Sequence, residues 1–300
     1  MQEDKVPLHA QIRKDSRMKV RFPLNDVVIK QVTETRKAEN PLYADSFWQM
    51  NQVEFAMQVE GVAEFYARDG SYVEYAPAVG AGMNEIELYL NGSVYGAILH
   101  QRKILPLHGS SFRYDGIGVM ICGDAGAGKS SLTASFCLRG AEFLTDDVTP
   151  VLLREGKPFI WALSDRMKLW GDTLEQLGTE EEDLHEIVPG IGKYFYHIKD
   201  TDGETVTLDH VFILQKGEGL APEFTELKGS QKLVALRGEI YRHEYLQGMP
   251  ENEARYFLDI LDISNVVRVF LVCRPQASGV REITAAMMSW AIENDIWRQA

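Results

Sequence analysis

The sequence is poor in cysteine and has no long apolar run. Its three cysteines, Cys122, Cys137 and Cys273, are scattered, which indicates neither a disulfide framework nor a metal site and predicts a reducing compartment. No stretch approaches the roughly 18 apolar residues of a membrane-spanning helix. The first residues, MQEDKVPL, lack the apolar segment of a signal peptide. We therefore expect a cytoplasmic protein without a membrane partner.

Basic residues are also in deficit. The chain has 31 Lys and Arg against 44 Asp and Glu, a formal net charge of −13, whereas nucleic-acid-binding domains usually carry a basic face. This balance argues against a nucleic-acid partner. A hydrophobic content of 45% in 300 residues is ordinary for a globular protein, and it is enough for a large core in one domain or two.

One glycine-rich stretch carries a specific signal. Gly123–Ser130 reads GDAGAGKS and fits the Walker A pattern, with an apolar run before it and a helix-like segment after it. Small residues let backbone N–H groups cradle phosphates, and the start of a helix adds favourable partial charge. Lys129 is expected to reach the outer phosphates and Ser130 to bind Mg²⁺. The predicted nucleotide-binding residues are Gly123, Asp124, Ala125, Gly126, Ala127, Gly128, Lys129, Ser130 and Ser131.

A hairpin leads into this loop. Asp115–Gly116 is a strong turn signal between two β-rich runs. With that turn, Tyr114 pairs with Ile117, and the same register places His108 opposite Gly123 at the entry of the loop. His108 is then either a structural residue or a catalytic one.

A strand, a helix and a second strand follow one another around the loop. Strands over 117–122 and 142–146 with a helix over 129–138 form a βαβ unit, so the strands should be parallel and end at one edge. Asp146 and Asp147 then lie beside the loop. One carboxylate can hold Mg²⁺ and the other can accept a proton from a hydroxyl; the alternative is an exposed acidic turn.

The flanking segments are less specific. Short alternating runs over 47–75 predict a small antiparallel sheet, and apolar spacing over 85–101 predicts a helix. We expect an α/β protein with an N-terminal β-rich subdomain (1–85) and a P-loop domain (86–300), whose mixed sheet is flanked by helices. The basic residues within 1–35 are either a solvated face or a contact for an acidic partner.

The C-terminal half is predicted to alternate strands and helices. Strands are expected over 209–216 and 266–275, with helices over 228–263 and 280–298. The acidic run Glu175–Glu186 predicts a solvated helix, and Val188–His197 a loop or strand edge. Arg166 and Lys168 are candidates for phosphate or substrate contacts, or else ordinary surface residues.

Three motifs in order resemble the HPr kinase/phosphorylase family. They are Pro106-Leu107-His108-Gly109, then G-x-G-V-x-I-x-G-x-x-G-x-G-K-S-S-L, then R-G-x-x-x-x-T-D-D-V. The match covers roughly residues 86–150, and Arg166–Trp170 is similar too. The resemblance implies a core like the C-terminal domain of HPr kinase and an ATP- and Mg²⁺-dependent kinase that phosphorylates a Ser hydroxyl.

The resemblance also implies roles for single residues. The loop amides and Lys129 would bind phosphates, Ser130 would hold Mg²⁺, and the aspartate pair would supply the base and a metal carboxylate. Asp146 is preferred as the base and Asp147 as the metal carboxylate. His108 would neighbour the base and help to set its protonation.

Two departures separate the chain from HPr kinase proper. Ser131 stands where that family usually has Glu, and the glycine-rich signature linked to the phosphorylase reaction has no counterpart. The sequence is also similar to HPr-kinase-like proteins of bacterial biosynthetic clusters, such as kinases of lasso-peptide precursors. This predicts a peptide or small-protein substrate that carries a Ser, and a homo-oligomer is compatible with it. The alternatives are a nucleotide-binding regulatory or scaffold module without kinase activity and a small-molecule kinase.

Overall fold

A computed structural model describes residues 20–164, 166–178, 184, 186–188, 190–197 and 203–297. These residues form three sheets with helices packed between and against them. The basic residues between 13 and 19 fall outside the described residues. Within the described ranges, no helix combines the length and the apolar character needed to cross a membrane.

The first sheet has six strands in the order β1-β6-β5-β4-β3-β2. Its strands are β1 (Val28–Gln31), β2 (Tyr43–Ala44), β3 (Trp48–Met50), β4 (Glu54–Val59), β5 (Ala63–Arg68) and β6 (Tyr72–Pro77). From β2 to β6, each strand pairs antiparallel with the next strand along the chain, which confirms the predicted sheet. β1 adds to β6 in parallel. Asp69 and Gly70, with φ of 53° and 64°, make the β5–β6 turn.

A continuous helical segment packs on this sheet. It comprises α1 (Met83–Tyr89), a π-helical turn (Leu90–Val94) and α2 (Tyr95–Gln101). Leu90 and Ile98 are completely buried with Phe55 and Phe65 of the sheet in one apolar cluster. The helix predicted over 85–101 is therefore confirmed, with a π turn inside it.

The second sheet has nine strands and holds the centre of the molecule. Its strands are β7 (Leu105–Tyr114), β8 (Ile117–Gly123), β9 (Glu142–Thr145), β10 (Val148–Arg154), β11 (Lys157–Trp161), β14 (Thr205–Thr207), β15 (His210–Gly217), β16 (Glu223–Leu227) and β17 (Arg268–Pro275). The order is β14-β11-β10-β7-β8-β15-β17-β16, and β9 also pairs with β7. β15 lies between β8 and β17 and is parallel to both.

β8 and β9 run in the same direction, as predicted, but β7 lies between them. β7 is antiparallel to both strands. The hairpin register is confirmed, since Tyr114 pairs with Ile117 and Gly109 with Cys122. The carboxyl ends of β8 and β9 therefore meet at one edge across a single intervening strand.

Helices cover both faces of the second sheet. They are α3 (Lys129–Cys137), α5 (Ser230–Gly238), α6 (Glu251–Val266), α7 (Val280–Glu293) and a 3₁₀ helix (His243–Gln247). Successive β8 residues alternate between the two cores: Val119 and Ile121 pack with α3 and α7, whereas Met120 and Cys122 pack with α5 and α6. This arrangement is a mixed α/β fold.

A two-stranded sheet completes the structure. β12 (Arg166–Trp170) pairs antiparallel with β13 (Lys193–His197), and α4 (Gly171–Leu177) follows β12 directly. Of the helix predicted over 175–186, residues 175–177 form the end of α4, whereas Gly178, Leu184 and Glu186 are not helical. Gly178 ends α4 in a left-handed conformation with φ of 73°, which glycine adopts without steric cost. Glu186 instead forms a bridge with Tyr194; residues 179–183 and 185 lie outside the described residues.

The two tryptophans near the C-terminus, Trp290 and Trp297, are packing residues. The Trp290 ring stacks on Phe224 at 4.8 Å between ring centroids. Trp297 is 3% exposed and meets Phe136 and Tyr114 edge-on.

Candidate active site

The glycine-rich loop turns sharply from β8 into α3. Gly123, Gly126 and Gly128 have φ of 124°, 76° and 104°, values that residues with a Cβ rarely adopt. A Cβ at Gly123 would lie 2.3 Å from the Leu214 carbonyl oxygen, so this position needs glycine for space as well. Apart from its two chain neighbours, no described residue has an atom within 4 Å of a Cβ built on Gly126. Backbone open on one side and followed by a nine-residue helix fits the approach of a phosphate.

Lys129 is folded back onto this loop. Its Nζ donates hydrogen bonds to the carbonyl oxygens of Gly123 at 2.7 Å and Asp124 at 3.2 Å. The residue is 9% exposed, so an ammonium group is held out of water by two neutral acceptors. Burying a charge on neutral partners is unfavourable, and an anion at the loop would offset that cost.

Arg274 is a second cation at the loop. It lies near the end of β17, and its Nε donates to the carbonyl oxygen of Ala127 at 2.8 Å. Sequence reasoning missed this residue. The signal was present, because β17 is parallel to β15 and β15 to β8, and ligands of α/β sheets bind beyond the carboxyl ends of such strands.

A cavity of about 1060 Å³ opens over the loop; we call it the first cavity. It is at the upper end of the size range of small-molecule sites. Besides residues 125–132, its walls carry four cationic side chains, of Lys168, Lys193, Lys216 and Arg274. A cavity floored by backbone amides and lined by cations is suited to a polyanion.

Asp146 joins the loop to β12. Its Oδ1 accepts a hydrogen bond from Ser130 Oγ at 2.6 Å, and its Oδ2 accepts one from the Lys168 backbone N–H at 2.8 Å. Both carboxylate oxygens are thus engaged, and the residue is 9% exposed. Burial and the neighbouring charge of Asp147 raise the pKa of Asp146 above its ordinary value.

Asp147 faces Lys168 and His108. Its backbone is left-handed, with φ of 69°, and Lys168 Nζ donates to its Oδ2 at 2.7 Å. The His108 Nε2 lies 3.6 Å from its Oδ1, longer than a hydrogen bond. Burial opposes ionisation of this carboxyl, but the charge and hydrogen bond of Lys168 outweigh it and lower the pKa of Asp147.

Buried hydroxyl groups fix the turn that carries the two aspartates. Ser111, Thr145 and Thr149 are fully buried, and their hydroxyls are linked in a row at 2.6 Å per step. This network ties β7, β9 and β10 together on either side of Asp146 and Asp147. The carboxylates are therefore held by the sheet and not by a free loop.

His108 lies in β7 opposite Val148, one residue before the Gly109–Cys122 pair. The structure therefore places His108 beside the entry of the loop, as the hairpin register predicts. Burial and the charge of Lys129 lower the pKa of His108, which favours the neutral imidazole at pH 7.

The two basic residues of β12 have different surroundings. Lys168 contacts both aspartates, as described above. Arg166 instead pairs with Glu87 of α1 at 3.0 Å, and its guanidinium lies 3.9 Å from the centre of the Phe195 ring. The structure thus brings Lys168, but not Arg166, to the first cavity.

The donor set fits Mg²⁺ and not a metal held by protein ligands alone. Among the described residues, no group of three or more His, Cys, Asp or Glu side chains is placed to hold a metal ion. Mg²⁺ usually binds through one or two carboxylates together with substrate phosphates and water. The Ser130–Asp146 pair at the edge of the first cavity supplies the oxygen atoms for such a site.

Comparisons with known proteins give a likeness to solved structures. No family model matches the chain, and no curated protein matches it. A solved structure similar to it is that of the Hpr(Ser) kinase/phosphatase from Coxiella burnetii, with 14% sequence identity and a TM-score of 0.34. The similarity covers 63% of this chain and 98% of that chain.

Proposed function

We propose that this protein is an ATP- and Mg²⁺-dependent kinase that transfers the γ-phosphoryl group to a Ser hydroxyl of a peptide or small protein. The observation that carries the proposal is the hydrogen bond from Ser130 to Asp146, beside a loop of Walker A sequence. A hydroxyl and a carboxylate at that position are the protein ligands used for Mg²⁺ in P-loop enzymes. Asp147 adds a second carboxylate one residue further on.

The residues at the loop bind and orient the triphosphate. The loop amides and Lys129 contact the phosphate oxygens, and Arg274, bonded to the loop at Ala127, adds a planar cation. Ser130 and Asp146 would hold Mg²⁺, which neutralises phosphate charge when bound. Phosphoryl transfer needs little covalent help, so positioning and charge neutralisation supply most of the rate.

Asp147 is the proposed proton acceptor, which reverses the preference from the sequence. Geometry supports this choice, since Asp146 has both oxygens engaged, whereas Asp147 Oδ1 accepts no hydrogen bond from the described residues and lies 3.6 Å from His108 Nε2. The Asp147 side chain is also more exposed, at 31%. A general base must first lie within hydrogen-bond reach of the proton that it removes, whatever its pKa. The raised pKa of Asp146 reflects burial and like charge, both of which a bound cation would offset.

Phosphoryl transfer forms one bond to the γ-phosphorus and breaks another. The acceptor oxygen forms a bond to the γ-phosphorus as the bond from that phosphorus to the bridging oxygen of ADP breaks. The hydroxyl proton passes to Asp147. We assign the neutral His108, whose Nε2 lies 3.6 Å from Asp147 Oδ1, as a positioning residue whose ring nitrogen can accept a hydrogen bond from Asp147 once that carboxyl is protonated.

Label transfer tests the proposal. The wild type, Lys129→Ala, Asp147→Asn and Asp146→Asn are incubated with ATP labelled in the γ-phosphate and Ser-containing peptides, with Asp262→Asn on the exposed face of α6 as the control. We expect wild-type transfer by Asp262→Asn and losses of at least about 100-fold in Lys129→Ala and Asp147→Asn. Asp146→Asn should need a higher Mg²⁺ concentration. Equal transfer by all five proteins, or none by the wild type, would contradict the assignment.

The second candidate is a nucleotide-binding regulatory module without transfer. Ser131 favours it, because its hydroxyl is engaged with the Thr173 hydroxyl at 2.9 Å and offers no second metal carboxylate. Calorimetry separates the two candidates: tight Mg-ATP binding without label transfer to any peptide would support the module.

A further inference from the structure

A second cavity, of about 620 Å³, opens beside Asp146. Its inner end is formed by Asp146 and Lys168. Lys168 also lines the first cavity, and Asp146 is bonded to Ser130 of the loop. The two cavities therefore meet at Lys168 and Asp146, and Asp147 lies beside them because it accepts a hydrogen bond from the same Lys168.

One strand face runs through both cavities. Alternate residues of a strand share a face, and in β12 these are Arg166, Lys168 and Trp170. Arg166 lines the second cavity, Lys168 lines both, and Trp170 lines the first. The intervening residues Met167 and Leu169 are buried in the core. One face of β12 thus lines both cavities, and Lys168 on this face contacts both aspartates.

The far wall of the second cavity holds an unsatisfied polar group. Tyr95 lines the cavity and is 3% exposed, and its hydroxyl has no hydrogen-bond partner in the described part of the chain. Buried polar atoms are nearly always paired. Asn91, on the same wall, lies in the π-helical turn, a distortion often found at functional sites.

The remaining wall comes from the segment before β1. Phe22 and Asn25 line the cavity, and the Phe22 ring meets Tyr95 edge-on at 5.8 Å. Glu87 fixes this wall, because it accepts a hydrogen bond from the Arg21 backbone N–H and pairs with Arg166. The cavity is therefore a built concavity between two sheets and a helix.

We propose that the second cavity is the acceptor site of the kinase and that it takes a short segment of peptide around the acceptor hydroxyl. The inference rests on the proposed function. From the second cavity the acceptor hydroxyl reaches the turn of Asp146 and Asp147, while the triphosphate occupies the first cavity. Its oxygen bonds to the γ-phosphorus as the bond from that phosphorus to the bridging oxygen of ADP breaks, ADP leaves into the first cavity, and the proton goes to Asp147.

The lining matches a peptide and not a folded protein surface. The Asn25 side-chain amide can both donate and accept, as backbone amides require, and Asn91 adds an amide oxygen, its Nδ2 being bonded to the Glu87 carbonyl oxygen at 2.8 Å. Phe22 and Phe195 offer apolar area. A cavity of this volume holds a ligand of small-molecule size, whereas folded partners usually bind over broad surfaces.

Blocking the cavity tests the proposal. Asn25 is exposed at the rim, so Asn25→Trp fills the entrance without disturbing the core, and Tyr95→Phe removes only the hydroxyl. Asn265→Trp, at an exposed position of α6, is the matched control. The probe is a pool of short synthetic peptides, each with one Ser, together with free serine and glycerol as small acceptors. Label transfer from γ-labelled ATP and calorimetric ATP binding are measured for each protein.

We expect Asn25→Trp to lower kcat/KM for the preferred peptide by at least about tenfold, and Tyr95→Phe to raise its KM with little change in kcat. ATP affinity should equal that of the wild type in both variants and in Asn265→Trp. If the wild type labels peptides and both cavity variants do so equally well, the acceptor site is refuted and the kinase function stands. If the wild type labels only free serine or glycerol, the peptide assignment is wrong. If it labels nothing, the kinase function itself fails.

Discussion

Replacing Lys129 by Met should separate function from stability. Lys129 is 9% exposed, and its ammonium group donates to the carbonyl oxygens of Gly123 and Asp124. Met keeps the length of the side chain and removes the buried charge. The hydrogen bonds lost are offset by the desolvation that the charge no longer costs, so the free energy of unfolding should change by less than about 1 kcal/mol.

ATP binding should respond very differently. A charge-assisted hydrogen bond contributes about 1.5–3 kcal/mol, which corresponds to a loss of roughly 10- to 150-fold in ATP affinity. Urea unfolding and calorimetry with Mg-ATP measure the two quantities. Lys157→Met, which removes an exposed charge from β11, is the control. A large loss of stability with ATP affinity close to the wild type would show that Lys129 is a structural residue and would refute the reasoning.

Three further predictions concern neighbouring features. Arg274→Ala should weaken ATP about tenfold in calorimetry but leave adenosine binding unchanged, since the guanidinium acts on phosphates; equal losses for both ligands would contradict this. In urea unfolding, Gly123→Ala should cost at least about 2 kcal/mol, and Gly126→Ala less, because only the first adds a clash to the unfavourable φ. Burial lowers the pKa of His100 to about 4; the unfolded chain binds this proton near pH 6.5, so stability should fall by up to about 3 kcal/mol between pH 6.5 and 4. His100→Gln should lose that part of the pH dependence.

Much of the site follows from local sequence rules. The Asp115–Gly116 turn fixes the β7–β8 register one rung at a time, so the position of His108 could be predicted from a single dipeptide. The βαβ connection places Asp146 at the loop, and its carboxylate does accept the Ser130 hydrogen bond. Short-range turn and crossover geometry was sufficient for both.

Features that depend on distant segments could not be predicted in this way. Arg274 reaches the loop from 147 residues away, and no local pattern indicates that pairing. Arg166 and Lys168 belong to the same strand face, but Glu87 of a remote helix removes Arg166 from the first cavity. The roles of Asp146 and Asp147 depend on which oxygen atoms are already engaged, and this information lies in the packing of β12 against the sheet.

The insertion of β7 between β8 and β9 has a similar cause. The crossover rule predicts that the two strands are parallel, but it does not say whether they are neighbours. The helix predicted over 175–186 does not continue through Gly178. This glycine ends α4 in a left-handed conformation, which the acidic composition of the segment does not indicate.

Hydrogen exchange of residues 123–131 with and without Mg-ATP tests the central claim most directly, because the loop amides themselves are the proposed phosphate ligands. Mg-ATP should slow exchange across this segment in the wild type and leave it unchanged in Lys129→Met at the same nucleotide concentration. Unchanged exchange in the wild type at saturating Mg-ATP would contradict the claim that the loop binds the triphosphate.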